Sequence, residues 1–385
     1  MANALTLTSL TEIIYAAKDR IAREPTGFLQ GVMVNSGSEG VSINGTVTSH
    51  RTAEPTLNTS FTPAMTIPAA DDQTVAAETL TIGQVANVRI PMRGEDMKKI
   101  DNTTGRVLIE DMIAQAIRKI VNTVEAHVGS VIYKGASRAT GSAGTTPFGS
   151  NFNSIADLRQ ILVDNGTPMD GDVSLVINTS AGTKLRQLAN LYKANEAGGD
   201  NLLRRGELLN LQGFSIRESA GVASHTKGTG SGYLVDLTAG YSVGDRTIHV
   251  DTGTGTILAG DVLAFESDTN AYVVGSGFAG DGDGDISLNY PGLRAALANN
   301  KTVTIGNNYT ANVGFHRAAV ELAIRPPAMP EGGDAASDRM TVVDDVTGLA
   351  FEVAIYKGYG MNMLEITSLY GAKVWKPEFV ATLLG

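Results

Sequence analysis

The strongest periodic pattern in the sequence is an apolar stripe between positions 106 and 133. Its members recur every three or four residues, as on one face of an α-helix: Ile109, Met112, Ile113, Ala116, Ile117, Ile120, Val124, Val128 and Val131. The spacing predicts one helix over 106–133, which at 1.5 Å per residue would be roughly 40 Å long. That is about twice the length of an average globular helix, so we expect it to span the molecule.

A shorter amphipathic pattern lies near the N-terminus. Ser9 and Glu12 form a capping-box pair, and apolar residues then follow at helical spacing: Ile13, Ala16, Ala17 and Ile21. These features predict a helix over 9–24, which Pro25 and Gly27 end.

Residues 28–95 alternate in the pattern of short β-strands, with Gly, Pro and Asn as breaks. The alternating segments are 31–34, 41–47 and 80–90, and a long polar stretch covers 51–79. We interpret 28–95 as an extended β-hairpin arm. A segment with so few large apolar side chains buries little surface alone, so such an arm is expected to find its core on a neighbouring subunit.

Helical and strand patterns alternate after the long helix. A Gly-rich loop at 135–149 is followed by a helix, a strand, a second helix and a short strand, at 154–164, 173–177, 181–192 and 214–218. This alternation predicts α+β organisation.

The segment 228–311 differs in composition and pattern, with 15 glycines in its 84 residues and only strand-like runs. It predicts a small β domain. Beyond it, an apolar pattern at 315–324 favours a helix, and strands are predicted to the end at 340–344, 349–356, 361–368 and 373–374. The β domain thus interrupts a domain that restarts after it.

Composition narrows the possible functions. The 385 residues are 42% hydrophobic and 18% charged, which is typical of globular proteins. The absence of Cys excludes disulfides, thiolate zinc sites and a cysteine nucleophile. The net charge of −10 disfavours a dedicated nucleic-acid or anionic-membrane binder. No apolar run approaches the ~20 residues of a membrane span, and no signal peptide is evident, so we expect a chain made in the cytoplasm.

The negative charge is concentrated in the predicted β domain. Within 228–311, nine acidic and three basic residues leave a net charge of −6. The segment 275–280, GSGFAG, matches the spacing of a dinucleotide fingerprint. However, Asp281, Asp283 and Asp285 follow it where a phosphate site needs a helix N-terminus. Nucleotide binding is therefore disfavoured.

The same aspartates could hold calcium, but the run departs from an EF-hand loop. Ile286 and Gly292 stand where the loop needs Gly and a bidentate Glu. A solvated acidic loop is the favoured interpretation, and cation binding stays open.

Catalytic residues are not evident elsewhere. The five histidines, at positions 50, 127, 225, 249 and 316, are scattered, and no Gly-x-Ser-x-Gly motif occurs. Ser224 and Lys227 match a Ser-x-x-Lys pattern without its companion motifs. We predict no catalytic, metal or cofactor site, and we interpret His127 and His316 as structural.

The densest basic patch comprises Arg89, Arg93, Lys98 and Lys99. It is typical of a solvated face or of a partner for acidic residues. A functional role would be subunit pairing.

Three stretches of the sequence resemble those of a known protein family. They are REPTGFL at 23–29, DVSLVIN at 172–178, and GFHRAAVELAIRPP at 314–327 followed by LYGAKV at 369–374. With the order of elements, they resemble the major capsid (coat) proteins of tailed bacteriophages with the HK-ninety-seven fold. The branch with an inserted β domain, typified by the coat protein of phage P-twenty-two, is the most similar. The insert here is shorter than in that coat protein.

The resemblance implies a domain arrangement over nearly the whole chain. It comprises an N-terminal arm at 1–27, the β-hairpin arm or E-loop at 28–95, the spine helix and peripheral domain at 96–149, an axial and peripheral α+β domain at 150–227 and 312–385, and a β-barrel-like insert at 228–311. The segment 275–290 is the candidate intersubunit loop. Asp281, Asp283 and Asp285, with Arg89 and Arg93, are the candidate intersubunit contacts.

The function implied is that of a structural virion protein without enzymatic activity or cofactors. Copies would self-assemble as pentamers and hexamers of an icosahedral procapsid, which expands into the mature head around packaged double-stranded DNA. The resemblance also implies a scaffolding protein, a portal protein and a decoration protein as partners, with assembly in the cytoplasm of a bacterial host and no membrane. The alternatives are an encapsulin-type protein compartment and a β-rich, calcium-dependent adhesive or glycan-binding protein.

Overall fold

The computed structural model describes residues 24–37, 40–52, 61–67, 75–94, 103–188, 191, 210–343 and 347–385. The predicted helix over 9–24 therefore lies outside the described residues except at its last position. The helices in the described part are α1, Gly27–Gly31; α2, Thr103–Lys134; α3, Asn153–Asp164; and α4, Thr179–Arg186, with 3-10 turns at Arg317–Ala319 and Pro377–Phe379. None of these helices is long and apolar enough to cross a membrane.

The strands fall into three stretches of the chain. Before α2 lie β1, Met33–Ser36; β2, Gly45–Thr52; β3, Val75–Ile82; and β4, Gln84–Arg93. Between α2 and position 306 lie β5, Arg138–Gly141; β6, Val173–Ile177; β7, Ser215–Glu218; β8, Ser224–His225; β9, Leu234–Val235; β10, Thr247–Gly253; β11, Thr256–Ile257; β12, Val262–Phe265; β13, Ala271–Ser276; β14, Phe278–Ala279; β15, Gly282–Leu288; and β16, Val303–Ile305. The last are β17, Tyr309–His316; β18, Val320–Arg325; β19, Ala336–Val343; β20, Ala350–Gly358; β21, Met361–Val374; and β22, Val380–Leu384.

Two β-sheets, with the helices that pack on them, form the main body of the structure, which we call the frame. The first has the order β1-β18-β21-β20-β19, and β4 also pairs with β21. Its long strand β21 pairs with β20 over 361–367, with β4 over 361–370 and with β18 over 369–374. The second sheet has the order β7-β6-β17-β22-β5-β13-β15-β10-β9, so it runs from the α+β frame into the 228–311 segment through the pairing of β5 with β13.

The long helix α2 packs its apolar stripe against the first sheet, mainly on β21 and β4. Its 32 residues correspond to roughly 48 Å, slightly longer than the sequence predicted. The stripe is buried at every third or fourth position, at Ile113, Ile117, Ile120, Val124, Val128 and Ile132. Gly129 leaves room on the helix for Phe28, because a Cβ there would lie 2.7 Å from the Phe28 ring.

A buried carboxylate fastens the N-terminal part of the chain to α2. Glu125 is only 2% exposed, and its oxygens accept hydrogen bonds from the N–H groups of Phe28 and Leu29, both at 2.9 Å. The hydroxyl of Ser219 donates to the same carboxylate at 2.5 Å. Burial raises the pKa of Glu125, and the converging donors compensate part of that cost.

Two further cores lie outside the α2 layer. One packs α3 and α4 on β6, with Leu158, Leu162, Leu175 and Leu185 fully buried. The other lies wholly within 233–305, around Tyr233, Phe265 and Tyr272 among others. The 228–311 segment thus has a hydrophobic core of its own.

One predicted element is wrong. Residues 315–324 do not form a helix: β17 ends at His316, a single 3-10 turn follows, and β18 takes the remaining residues. Val320, Leu322 and Ile324 are fully buried within the first sheet. A strand covered on both faces has a continuous apolar run, which periodicity cannot distinguish from a buried helix.

Other boundaries differ less. The alternating segment 80–90 is divided at Gly83 between β3 and β4, which belong to different sheets. The helix predicted over 181–192 begins earlier, because Asn178 caps α4 by accepting from the N–H of Ala181 at 2.8 Å.

The attachment at Glu125 generates a stability prediction. In Glu125→Gln, one acceptor oxygen becomes an amide donor that faces the donating N–H groups, so we expect the free energy of unfolding to fall by about 1–3 kcal/mol. Chemical denaturation followed by far-UV circular dichroism measures the change. Glu331→Gln makes the same substitution at an exposed position and is the control; equal stability of the two variants would contradict the attachment.

Candidate assembly surfaces

The hairpin of β2 and β3 is a two-stranded sheet of its own that contacts the first sheet. The two strands pair from Gly45 opposite Ile82 to Thr52 opposite Val75. At the base, Leu80 and Ile82 are buried against Leu369 and Trp375. The base of the hairpin is therefore part of the molecule's core.

Beyond the paired strands, the described segment 61–67 is exposed throughout. It carries three large apolar side chains, Phe61, Met65 and Ile67, which are at least 94% exposed. Burying a side chain of this size contributes roughly 1.5–3 kcal/mol. The stretch 51–79 was predicted only as polar, and these three residues were missed; large apolar side chains within a polar stretch were the available signal.

A groove of about 470 Å³ lies beside the hairpin base on the first sheet. Its apolar lining includes Ile43, Val85 and Met329, which are about half exposed. The groove therefore offers apolar surface next to the hairpin.

Charged groups line the opposite side of the groove. Arg339 pairs with Asp334 and Glu352, and the Tyr356 hydroxyl donates to Asp334 at 2.8 Å. The Arg339 Nε atom is buried without a hydrogen-bond partner. Burial raises the pKa of Glu352, whereas the Ala336 N–H lowers the pKa of Asp334. The groove thus combines apolar surface with fixed charges.

The two candidate arginines lie on β4. Arg89 is opposite Glu365 of β21 and forms an exposed ion pair with it at 3.2 Å. Arg93 is opposite Met361, beside the turn where Tyr359 is fully exposed. Lys98 and Lys99 lie outside the described residues. The structure therefore gives Arg89 an acidic partner within its own chain.

The predicted acidic loop is mostly a strand. Asp283 and Asp285 lie on β15, and strand alternation places them with Asp281 on the solvent side, opposite the buried Ile286 and Leu288. The candidate loop 275–290 is a hairpin of β13 and β15, in which a strand follows the glycines of the GSGFAG motif. This geometry lacks the helix N-terminus that a phosphate site requires.

A histidine lies among these aspartates. His249 on β10 is directly opposite Asp285, and its Nδ1 is 2.7 Å from that carboxylate, while its Nε2 is 2.5 Å from Asp283. Asp281 accepts from the N–H of Gly255 at 2.6 Å. The Asp285 hydrogen bond and the nearby acidic charges raise the pKa of His249. Over the residues described, no group of three or more acidic, His or Cys side chains has a geometry that could hold a metal ion.

A buried polar cluster joins the 228–311 segment to the end of α2. His225 Nε2 is 2.8 Å from Asp261, and its Nδ1 is 3.3 Å from the Tyr133 hydroxyl. Asp261 also accepts from the N–H groups of Gly228 and Leu258, and Tyr309 donates to the Gly260 carbonyl. Burial raises the pKa of Tyr309. The cluster was not predicted, since its members are far apart in the sequence.

The two histidines interpreted as structural are both engaged within the chain. His127 is about half buried and packs edge-on against Tyr370, with ring centroids 5.4 Å apart. His316 Nδ1 accepts from the N–H of Ala318, and its Nε2 lies 3.1 Å from Asp170. Both positions connect separate elements of the frame.

Comparisons with known proteins bear on the fold. The sequence matches no protein-family model and no curated protein. The structure is similar to the capsid of the Cyanophage P-SCSP1u, with a TM-score of 0.52, 13% identity, and coverage of 94% of this chain and 88% of that chain. A Mycobacterium phage Che8 chain gives a TM-score of 0.48 at 15% identity, covering 88% of this chain and 84% of its own. A virus-like particle from Pyrococcus furiosus gives 0.41 at 9% identity, covering 98% of both chains.

The cyanophage likeness confirms the predicted α+β capsid fold over nearly the whole chain. The identity of 13% is informative about the fold alone. The inserted domain, the intersubunit loop and the intersubunit contact residues remain predictions.

The position of His249 generates a titration prediction. Its raised folded pKa means that the interaction with Asp283 and Asp285 stabilises the fold fully below pH 6.5 and is lost as pH rises through the folded value. We expect histidine NMR titration to give a pKa above 6.5, which Asp285→Asn shifts downward. Asp245→Asn, which removes an acidic residue of the same segment without contact to His249, is the control. A pKa at or below 6.5, or equal effects of both variants, would contradict the assignment.

Proposed function

We propose that this chain, which has the fold of a bacteriophage capsid, is the major capsid protein of a tailed double-stranded-DNA bacteriophage. Its copies form pentamers and hexamers that close into an icosahedral head shell. The observation that carries the proposal is the cyanophage capsid likeness, which spans 94% of this chain and 88% of the other. A match of that extent leaves little chain for a separate catalytic domain and favours a structural, non-enzymatic role.

The described surfaces fit a protein that is completed by its neighbours. Phe61, Met65 and Ile67 are exposed on an arm whose base is fixed in the core. In a shell, each copy would place this apolar segment on an adjacent copy, beside the groove lined by Ile43 and Met329. Each contact is modest, but every subunit repeats it, and the repeated contacts sum to a stable closed assembly.

The proposed domains follow the predicted boundaries. The arms are at 1–27 and 28–95, the spine helix and peripheral domain at 96–149, the α+β domain at 150–227 with 312–385, and the insert at 228–311. The separate core within 233–305 supports the insert as a unit. In this arrangement α2 connects the arm to the insert.

The aspartates on β15 are proposed as intersubunit contacts, with the hairpin 275–290 as the intersubunit loop. Asp283 and Asp285 lie on the solvent side of the insert, where a basic group of another copy can reach them. Arg93 and the exposed Arg89 are the proposed partners from the β4 edge. Contacts of this kind weaken as salt is added, because exposed charges are screened.

The remaining partners of the proposal are a scaffolding protein, a portal protein, a decoration protein and the packaged DNA. The protein would assemble in the cytoplasm of a bacterial host and remain in the virion. The net charge of −10 supports a container role, since a negative wall does not retain duplex DNA tightly while the genome enters.

Electron microscopy tests this function directly. We expect the purified chain, expressed alone or with neighbouring genes, to give closed shells or curved sheets of hexagonal capsomers after size-exclusion chromatography. Shells that co-purify with a specific cargo protein and no portal would favour an encapsulin-type compartment. A stable monomer under all conditions, including added scaffolding protein, would overturn the proposal.

The arm generates a separate prediction about assembly. In a triple variant, Phe61→Ser, Met65→Ser and Ile67→Ser, the fold should be retained because these side chains make no intramolecular core. Shell yield should fall by at least about tenfold, since each lost burial costs more than the roughly 1.4 kcal/mol of one decade. Sedimentation velocity gives the assembled fraction. The double variant Thr62→Ser and Thr66→Ser is the matched control, and normal shells from the triple variant would contradict the arm contact.

A further inference from the structure

A second, shallower groove lies between α2 and β4. It has a volume of about 420 Å³, and its lining includes Val88, Ile90, Met112 and Ala116. Met112 is 40% exposed although it belongs to the apolar stripe of α2. The groove is therefore an apolar surface that no described element covers.

Glu24, the first described residue, binds α2 near this groove, because its partner Arg118 is adjacent to Lys119 of the groove lining. The carboxylate of Glu24 accepts from the Arg118 Nε atom at 2.8 Å and from the Asn122 side chain at 2.6 Å. Arg118 and then Asn122 lower the pKa of Glu24 to about 2, so this contact is fully present above pH 4.5 and is lost as pH falls toward 2. At neutral pH it holds the chain beside α2.

The direction of the chain is set by two contacts. The backbone at Phe28 is bound to Glu125, whereas Glu24 is bound one to two turns nearer the start of α2, at Arg118 and Asn122. If the residues before Glu24 continue in this direction, they would run along α2 toward Thr103. The groove at Met112 would then lie beside them.

The sequence before Glu24 matches the groove in pattern and length. Ile21, Ala17 and Ile13 precede Glu24 by three, seven and eleven residues, so a helix places them on the face that carries Glu24. The fifteen residues 9–23 extend roughly 22 Å as a helix, and the stretch of α2 from 103 to 118 has the same length. An apolar face of this segment would thus lie along the uncovered groove.

We propose that residues 9–23 dock as an amphipathic helix in the groove between α2 and β4 of their own chain. The segment is attached beside the groove, which gives it an effective concentration in the millimolar range for short links. A second copy would have to supply the same surface from solution. Docking would bury Met112 and complete the apolar stripe of α2.

Cysteine pairs test the docking, because the chain contains no native Cys. In Ala17→Cys with Met112→Cys, the parallel alignment brings the two positions together, and mild oxidation should form an intrachain disulfide, read as a monomer band whose mobility changes on reduction. Asp19→Cys with Met112→Cys is the control, since Asp19 falls on the opposite face of the helix. Dimer bands alone would assign the groove to another copy, and no difference between the pairs would overturn the proposal.

Hydrogen exchange supplies a readout independent of disulfide geometry. In Met112→Glu, peptides from 9–23 should exchange about tenfold faster than in the original chain, the factor expected when the burial of a large apolar side chain is lost. Gln115→Glu is the control at the polar edge of the groove. Unchanged exchange in Met112→Glu would overturn the proposal. Neither experiment requires shells, so a failure here is distinct from a failure of the proposed function.

Discussion

The packing of α2 across the first sheet is the interaction on which the rest of the structure depends. One face of this helix covers β21 and β4, and its middle accepts the N-terminal chain through Glu125. Its C-terminal end meets the 228–311 segment, where Tyr133 contacts His225. The first sheet, the N-terminal part of the described chain and the 228–311 segment therefore all contact one long helix.

The described residues include both well-buried cores and large apolar side chains that are fully exposed to water. The two smaller cores are built from buried side chains, and Glu125 and Asp261 are buried with converging donors. Against this background, the exposed Phe61, Met65 and Ile67 are conspicuous, because a monomer gains nothing from holding them in water. In the proposed shell, neighbouring copies would cover the exposed apolar side chains of the hairpin and the groove beside its base.

The sequence predicted the elements whose residues are neighbours along the chain. The α2 stripe, α3 and most strands followed from local periodicity, and the GSGFAG motif was rejected because no helix signal follows it. Residues 315–324 were mistaken for a helix, since two buried strands joined by a turn have the same apolar run.

The contacts within the candidate assembly surfaces were less predictable, because they join residues that are far apart in the sequence. His249 meets Asp285 only through the register of β10 with β15, and His225 meets Asp261 only through the folding of the 228–311 segment. Glu125 had no sequence signal, since a Glu on a helix is ordinarily solvated. Such contacts can be identified only when the pairing of the strands is known.

A strand pair holds the two ends of the 228–311 segment together, and this affects how the length of the segment can vary. It leaves the frame after β8 and returns at β17, and these two strands pair with each other, Ser224 opposite Thr310 and His225 opposite Tyr309. Paired antiparallel strands lie about 5 Å apart, so the two ends of the segment are neighbours in space. The segment could therefore change in length without separating β8 from β17. Its second attachment, the pairing of β13 with β5, and its side chains Val262 and Val273 in the main core would have to be retained.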